Sequence, residues 1–214
     1  PLLYVSATDG GNQYIDTGVY AGANLRAEME LSINKINSAE NTFALAAYAS
    51  GAEAYLIGAT KEGQWSWSLG SGTRPTGPKI STNTLYKVVS TIGSDAKTMT
   101  FSVNGTMGSA YTAATAGTTK FSLHLLGRNE GKPGRYLNAK IYAAKIYMGS
   151  ELKRHYIPCQ TAANEVGLYD LVSSNFYPSA GAPFLASANL LPADPTIGGK
   201  PVNPAEIFTF ANSQ

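Results

Sequence analysis

Apolar side chains occupy every second position of residues 25–33, and polar or charged side chains stand between them. An alternation of period two is typical of a β-strand with one buried face, because successive side chains of an extended chain point to opposite sides. The pattern predicts a strand with Leu25, Met29 and Leu31 inward and the intervening glutamates outward. A slip of one residue would move the whole apolar set into water, so we expect this register to be strongly specified.

Further segments of similar character follow, separated by turn signals. The predicted strands are residues 42–48, 54–58, 64–69, 86–92, 98–103, 120–126, 139–147, 153–157, 166–170 and 175–177. Asn104-Gly105 is the strongest hairpin signal, because a type I′ turn needs positive φ at both central residues. Many short, evenly spaced strands without a helical pattern predict an all-β fold, an antiparallel β-sandwich or jelly roll. Residues 1–184 contain no repeat or linker, so we expect them to form one domain.

The character of the sequence changes after Phe184. Four of the 11 prolines fall in the remaining segment, at Pro192, Pro195, Pro201 and Pro204. Proline fixes φ and removes a backbone donor, so residues 185–214 are predicted to form an extended C-terminal arm. Its last part carries Ile207, Phe208 and Phe210, which we interpret as apolar anchors that bind a partner. This part would add a strand to a sheet edge, either of its own domain or of a neighbour.

Composition narrows the classes of function. The 214-residue chain has 14% charged residues, against about 25% in an average protein, and a net charge of +2. Such a small charge argues against nucleic acid as a partner, since that binding commonly uses about 6–10 phosphate contacts. No apolar run approaches the roughly 18 residues of a membrane span, which predicts a soluble chain without a membrane partner. Cys159 is the only cysteine, so neither an intramolecular disulfide nor a thiolate metal cage is expected.

Residues 11–18 follow the pattern "G-x-Q-Y-I-D-T-G", and further characteristic segments come later in the chain, at residues 103–106, 125–129, 139–147, 156–159, 166–172, 175–177, 180–181 and Phe184. Taken in order, these segments resemble the LamG-like members of the concanavalin A-like lectin/glucanase jelly rolls of gut bacteria and their phages. The resemblance implies the jelly-roll fold for most of residues 4–184. It also implies a non-catalytic binding or structural module, a role that includes components of phage particles.

Catalysis on this fold class usually means glycoside hydrolysis by two carboxyl groups. Glu28 and Glu30 share a strand face at a spacing of roughly 7 Å. The glucanase relatives carry a third acid at the next alternate position, where this chain has Ser32. The histidines, His124 and His155, are not accompanied by a nucleophile motif. The sequence therefore predicts that the protein is not an enzyme and that the two glutamates lie on a solvated outer face.

Two segments could carry ligand chemistry. Trp65 and Trp67 share one strand face, and we consider both packing in the core and a platform on which a sugar stacks. Asp9, Asn12 and Asp16 lie close together and supply oxygen ligands that calcium prefers, but their spacing matches no dedicated calcium loop. Turn formation is the simpler interpretation of these three residues. We predict no cofactor and no metal.

The function that these observations favour is a non-catalytic structural or adhesion protein of a bacteriophage virion, either a capsid decoration or a tail appendage. Its arm would bind other virion proteins in a multi-subunit assembly, and its sandwich would bind host or mucosal glycans. The chain shows no signal-peptide pattern, which fits synthesis in the host cytoplasm followed by location in the virion and fits equally the prior removal of such a peptide. The alternative is a carbohydrate-binding module of a gut bacterial surface or secreted protein. A glycoside hydrolase is the third hypothesis.

Overall fold

The computed structural model describes residues 1–70 and 72–187, and the backbone of residues 196–197 and 200–201. Within these residues the chain is all β, with no helix. The strands, in chain order, are β1 (Val5–Ser6), β2 (Ile15–Asp16), β3 (Leu25–Ile33), β4 (Thr42–Tyr48), β5 (Ala54–Ala59), β6 (Gln64–Leu69), β7 (Thr76–Lys79), β8 (Leu85–Ile92), β9 (Thr98–Val103), β10 (Thr106–Met107), β11 (Tyr111–Thr112), β12 (His124–Leu125), β13 (Arg128–Asn129), β14 (Pro133–Gly134), β15 (Ala139–Met148), β16 (Glu151–Gln160), β17 (Val166–Asp170), β18 (Asn175–Pro178), β19 (Leu185–Ala186), β20 (Thr196–Ile197) and β21 (Lys200–Pro201).

The strands form a sandwich of two sheets, as the sequence predicts. Sheet I has the order β10-β9-β8-β3-β15-β16-β17-β18, with β1 beside β15, β19 beside β1, and β11 beside β9. Sheet II has the order β14-β13-β4-β5-β6-β7, with β12 between β4 and β2. The pairs are antiparallel except for β13 with β4. Outside both sheets, β20 pairs with β21.

The predicted register of β3 is confirmed. Leu25, Met29 and Leu31 are buried in the core between the sheets, whereas Glu28 and Glu30 lie on the outer face of sheet I. The two neighbouring strands place a cation beside each acid, because Lys145 is opposite Glu28 and Lys87 is opposite Glu30. Opposite charges at such cross-strand positions stabilise the sheet. The surroundings of these two glutamates are therefore those of residues that stabilise a sheet.

Two local predictions have different outcomes. Asn104 and Gly105 have φ angles of 50° and 79° and connect β9 to β10 in the predicted tight hairpin. Residues 120–126 are predicted to be one strand, but only His124–Leu125 pairs within a sheet. Leu126 takes a φ of 63°, so the chain turns there, and β13 then returns to pair with β4 in the parallel direction.

Sheet I includes the first residues that follow Phe184. Val5–Ser6 pairs with Leu185–Ala186 on one side and with β15 on the other. The backbone N–H of Ser187 donates a hydrogen bond to the carbonyl of Tyr4, 3.1 Å away. The chain therefore stays in the sandwich for a few residues past the predicted boundary. The division into residues 1–184 and 185–214 stays a prediction.

Candidate functional site

One end of the sandwich carries an open polar cleft of about 410 Å³. Three connections form it: residues 7–14 between β1 and β2, residues 34–41 between β3 and β4, and residues 135–138 before β15. The side chains that give the cleft its chemistry are Asp9, Lys35, Asn37, Glu40, Tyr136 and Asn138. The cleft thus combines charged groups, amides and one aromatic ring.

A buried glutamine fixes the first wall of the cleft. Gln13 is 1% exposed, and its amide nitrogen donates hydrogen bonds to Thr8 Oγ1 at 2.8 Å and to the Pro183 carbonyl at 3.0 Å. Its amide oxygen accepts a bond from the Thr8 backbone N–H at 3.3 Å. The neighbouring Asn12 accepts a bond from the Ala182 N–H at 2.8 Å through its side-chain oxygen. The wall is therefore tied to the C-terminal part of the sandwich before any ligand arrives.

The opposite side of the cleft is fixed in a similar way. Asn34 donates from its amide nitrogen to Ser6 Oγ at 3.1 Å and to Asn138 Oδ1 at 2.9 Å. Its backbone N–H also donates to the Asn138 carbonyl at 2.9 Å. Because Asn138 lines the cleft and Asn34 does not, Asn34 acts as a positioning residue from behind.

The charges of the cleft are arranged as pairs. Lys35 Nζ lies 2.7 Å from Asp9 Oδ2, and Arg135 Nη1 lies 2.9 Å from Glu40 Oε2. The hydrogen bond from Lys35 lowers the pKa of Asp9 below its ordinary value. Both pairs are partly or fully exposed, so their charges can exchange partners with the hydroxyl groups of a ligand at small cost.

A row of aromatic side chains begins at Tyr136 in the cleft and continues through Tyr14 to His124. The ring centroid of Tyr136 lies 6.0 Å from that of Tyr14, which stacks on His124 at 4.6 Å. Burial lowers the pKa of His124, and Asp16 opposes that shift only in part. The imidazole is therefore neutral at pH 7 and acts as a flat support for Tyr14. Tyr136 itself remains partly exposed and presents an apolar surface to the cleft.

Trp65 and Trp67 lie in the core between the sheets. They are 0% and 1% exposed, respectively. The Trp67 ring stacks on Phe101 of sheet I at 4.5 Å and 18°, and Trp65 meets Tyr86 edge to face at 5.5 Å. The structure therefore shows the packing alternative for both indoles, and neither presents a face on which a sugar could stack.

The other residues singled out in the sequence are dispersed. Glu28 forms an ion pair with Arg26 on the outer face of sheet I. Asp16 accepts a bond from the Gly18 N–H at 3.0 Å, and Asp9 and Asn12 have the separate partners given above. Within the described residues, no group of three or more histidine, cysteine, aspartate or glutamate side chains is arranged to hold a metal ion. Three arm residues lie outside the described part of the chain: Ile207, Phe208 and Phe210.

The sequence did not point to Lys35, Asn37, Tyr136 or Asn138. These residues come from two loops about 100 positions apart in the chain, and nothing in their local pattern distinguishes them from other turn residues. The only available signal was Gln13, which belongs to the family-like segment and fixes the first wall of the cleft.

The chain belongs to the concanavalin A-like lectin/glucanase superfamily, whose family model matches residues 9–152. A comparison with curated proteins finds no significant match. The described residues contain no helix with the length and hydrophobicity needed to cross a membrane.

Among solved structures, a candidate carbohydrate-binding protein from Bacteroides ovatus is similar, with a TM-score of 0.62 and 12% identity over 87% of this chain. The match covers 60% of that protein, so the present chain corresponds to only part of its length. The CBM40 domain of a Ruminococcus gnavus sialidase, bound to α2,3-sialyllactose, matches with a TM-score of 0.51 and 12% identity over 64% of this chain and 85% of that domain. Domains LG4-5 of the mouse laminin α1 chain match with a TM-score of 0.50 and 14% identity, over 70% of this chain and 43% of that one. At these identities the likeness shows the fold alone.

Proposed function

We propose that the protein is a non-catalytic glycan-binding module and that the polar cleft is its binding site. The observation that carries the proposal is a cleft of about 410 Å³ whose walls are fixed by the buried amide of Gln13 and the partly buried amide of Asn34. Its size falls within the roughly 300–1,000 Å³ of small-molecule sites. The similarity to carbohydrate-binding proteins of the same fold supports this ligand class.

Recognition would use the two kinds of surface that a sugar presents. Sugar hydroxyls both donate and accept hydrogen bonds, and the cleft offers acceptors at Asp9, donors at Lys35, and both at Asn37 and Asn138. The apolar C–H face of the ring would pack on Tyr136. Because the walls are already hydrogen-bonded in the free protein, little loop ordering would oppose binding.

The experiment is a glycan array followed by calorimetry on the glycans that bind. Tyr136→Ala should weaken binding by about tenfold, since it removes the stacking surface. Tyr20→Ala is the matched control, because Tyr20 is 55% exposed and does not line the cleft. Equal affinities for the wild type and Tyr136→Ala would place the binding surface elsewhere.

The proposal includes the absence of glycan hydrolysis. Glu28 is paired with Arg26 and lies on a sheet face rather than in the cleft, so it lacks the arrangement of a catalytic acid. A panel of polysaccharides incubated with the protein should give no product. Product formation that disappears in Glu28→Gln or Glu30→Gln would refute this part of the proposal.

A role in a phage particle stays a prediction. It rests on the resemblance of sequence segments, whereas the similar structures named above are carbohydrate-binding and laminin domains, which favour the surface or secreted module. Imaging of the native assembly distinguishes the two. A virion component should be seen with the arm that follows residues 185–187 of sheet I against other subunits, and its incorporation should fail when residues 190–214 are deleted.

A further inference from the structure

The outer face of sheet II carries a second cluster, separate from the main core. It consists of the buried residues Phe43, Ala46, Ala54 and Leu56, with Tyr48 packed against them. Two arginines cover this cluster. The guanidinium carbon of Arg128 lies 5.2 Å from the Phe43 ring centroid and 4.9 Å from that of Tyr48, and that of Arg74 lies 5.8 Å from Phe43. We call Phe43, Tyr48, Arg74 and Arg128 the arginine face.

The two arginines differ in how their charge is compensated. Arg128 is buried and forms an ion pair with Glu130. Arg74 is half-buried and has no hydrogen bond or ion pair within the described residues, so the Phe43 ring is its partner there. Burial, and then the charges of Arg128 and Arg135, lower the pKa of Arg74. A guanidinium nevertheless stays protonated in proteins, so Arg74 is a partly desolvated cation beside like charges.

We propose that the arginine face is a subsite for an anionic ligand, the carboxylate or sulfate of an acidic saccharide. The fork of N–H donors on Arg74 matches the two oxygens of a carboxylate. The ring of the same sugar would pack on the exposed part of Tyr48. This inference deepens the proposed function, because it names acidic glycans as the ligand class.

The position of the face connects it to the polar cleft. Thr42 lines the cleft and Phe43 follows it on the arginine face, while the Arg135 carbonyl accepts a bond from the Phe43 N–H at 3.1 Å. Arg135 also pairs with Glu40, which lines the cleft. A glycan of a few residues could therefore place a neutral sugar in the cleft and an acidic one on the arginine face.

The test measures binding of acidic and neutral saccharides by calorimetry or NMR titration. The probes are glucuronic acid, N-acetylneuraminic acid and 6-sulfated galactose, beside neutral glucose and galactose. The wild type should bind at least one acidic probe more tightly than the neutral ones, and added salt should reduce that preference. Arg74→Gln should weaken acidic binding by about tenfold and leave neutral binding unchanged. The carboxylate and sulfate probes distinguish the two anions.

Two further variants make the result specific. Arg74→Lys keeps the charge without the planar fork and should restore only part of the affinity. Arg26→Gln is the matched control, because Arg26 also lies over an aromatic ring, 5.4 Å from the ring centroid of Tyr147. Arg26 differs from Arg74 in two ways: it lies on sheet I rather than beside sheet II, and it is ion-paired with Glu28. This control should bind acidic probes as the wild type does.

The outcomes separate the two proposals. Binding of an acidic saccharide that depends on Arg74 supports the inference. If, in addition, no neutral glycan binds and Tyr136→Ala has no effect, only the proposal that the polar cleft binds glycans is refuted. If no acidic probe binds, or if Arg74→Gln binds all of them like the wild type, the inference is wrong, whatever the cleft binds. A melting temperature lowered in Arg74→Gln with unchanged acidic affinity would show that Arg74 only packs on Phe43.

Discussion

Replacement of Asp170 by asparagine should destabilise the sandwich strongly. Asp170 ends β17, is 0% exposed, and accepts four hydrogen bonds. The backbone N–H groups of His155, Val172 and Ser173 donate at 2.7, 3.2 and 3.4 Å, and the Ser173 hydroxyl donates at 2.7 Å. One carboxylate thus joins β16 to the turn that leads into β18.

The expected magnitude follows from these contacts. A hydrogen bond to a charged group contributes about 1.5–3 kcal/mol, and a buried donor left without a partner costs about 1–3 kcal/mol. Asparagine keeps one acceptor oxygen but turns an NH₂ group toward donors. The nearby Arg154, whose Nε lies 3.7 Å from Oδ2, also loses its counter-ion. We therefore expect Asp170→Asn to lower the free energy of unfolding by about 3–5 kcal/mol.

Asp95 provides a matched control. It makes the same local bonds, accepting from the Lys97 and Thr98 N–H groups at 2.9 Å each and from the Thr98 hydroxyl at 2.8 Å, but it is exposed. Water can replace the bonds lost in Asp95→Asn, so this variant should be affected much less. The assay is urea unfolding followed by fluorescence of the buried Trp65 and Trp67. Similar midpoints for the two variants would refute the argument that burial of the carboxylate sets the cost.

Three further predictions concern the core, the pH dependence and the cleft wall. Tyr55 and Ser90 share a hydroxyl hydrogen bond of 2.5 Å between the sheets, so Tyr55→Phe and Ser90→Ala should each cost about 1–3 kcal/mol and the double variant less than their sum in an unfolding cycle. Burial lowers the pKa of the His155 imidazole to about 4 in the folded protein, whereas the unfolded chain takes up this proton near pH 6.5. The free energy of unfolding should therefore fall as the pH falls from about 6.5 to 4, and His155→Gln should flatten that part of the stability curve. A Cβ on Gly181 would lie 1.9 Å from the Asn12 carbonyl, so Gly181→Ala should cost about 1–3 kcal/mol and reduce glycan binding, as thermal unfolding and calorimetry can check.

The sequence predicted the longer strands well, whether one face or both faces are buried. Residues 25–33 and 98–103 match β3 and β9 at both ends, where burial on one side leaves a period of two in the sequence. Residues 42–48 and 64–69 match β4 and β6, which are buried on both faces, because each is a short run bounded by turn residues. The short strands beside them, such as β2 and β12, carry no such period in two residues. Their pairing depends on partners distant in the chain, which local patterns do not specify.

The prediction about Trp65 and Trp67 shows a different limit. Alternation correctly placed both indoles on one face of β6, but it does not say which face of the strand is covered. Sheet II is covered on both faces in its centre, where all six residues of β5 are buried. The core takes the indoles, and the opposite face is covered by the arginines above Phe43. When both faces of a strand are buried, the sequence does not show a contrast between an apolar and a polar face. The pattern therefore could not distinguish indoles in the core from indoles on a ligand-binding surface.

The cleft could not be predicted, and its physical organisation explains why its chemistry can vary independently of the fold. Its position depends on Gln13 and Asn34, which hold the loops from behind and do not line it. The exposed Lys35 and Asn37 line it without making contacts on which the core depends. Substitution of Lys35 or Asn37 should therefore change which glycan binds at little cost in stability, whereas Gln13→Ala should loosen the loop and weaken every ligand together. The measurement is a glycan array of each variant. If the Lys35 and Asn37 variants bind different glycans, and Gln13→Ala binds the same glycans more weakly, then one set of residues builds the cleft and another selects its ligand.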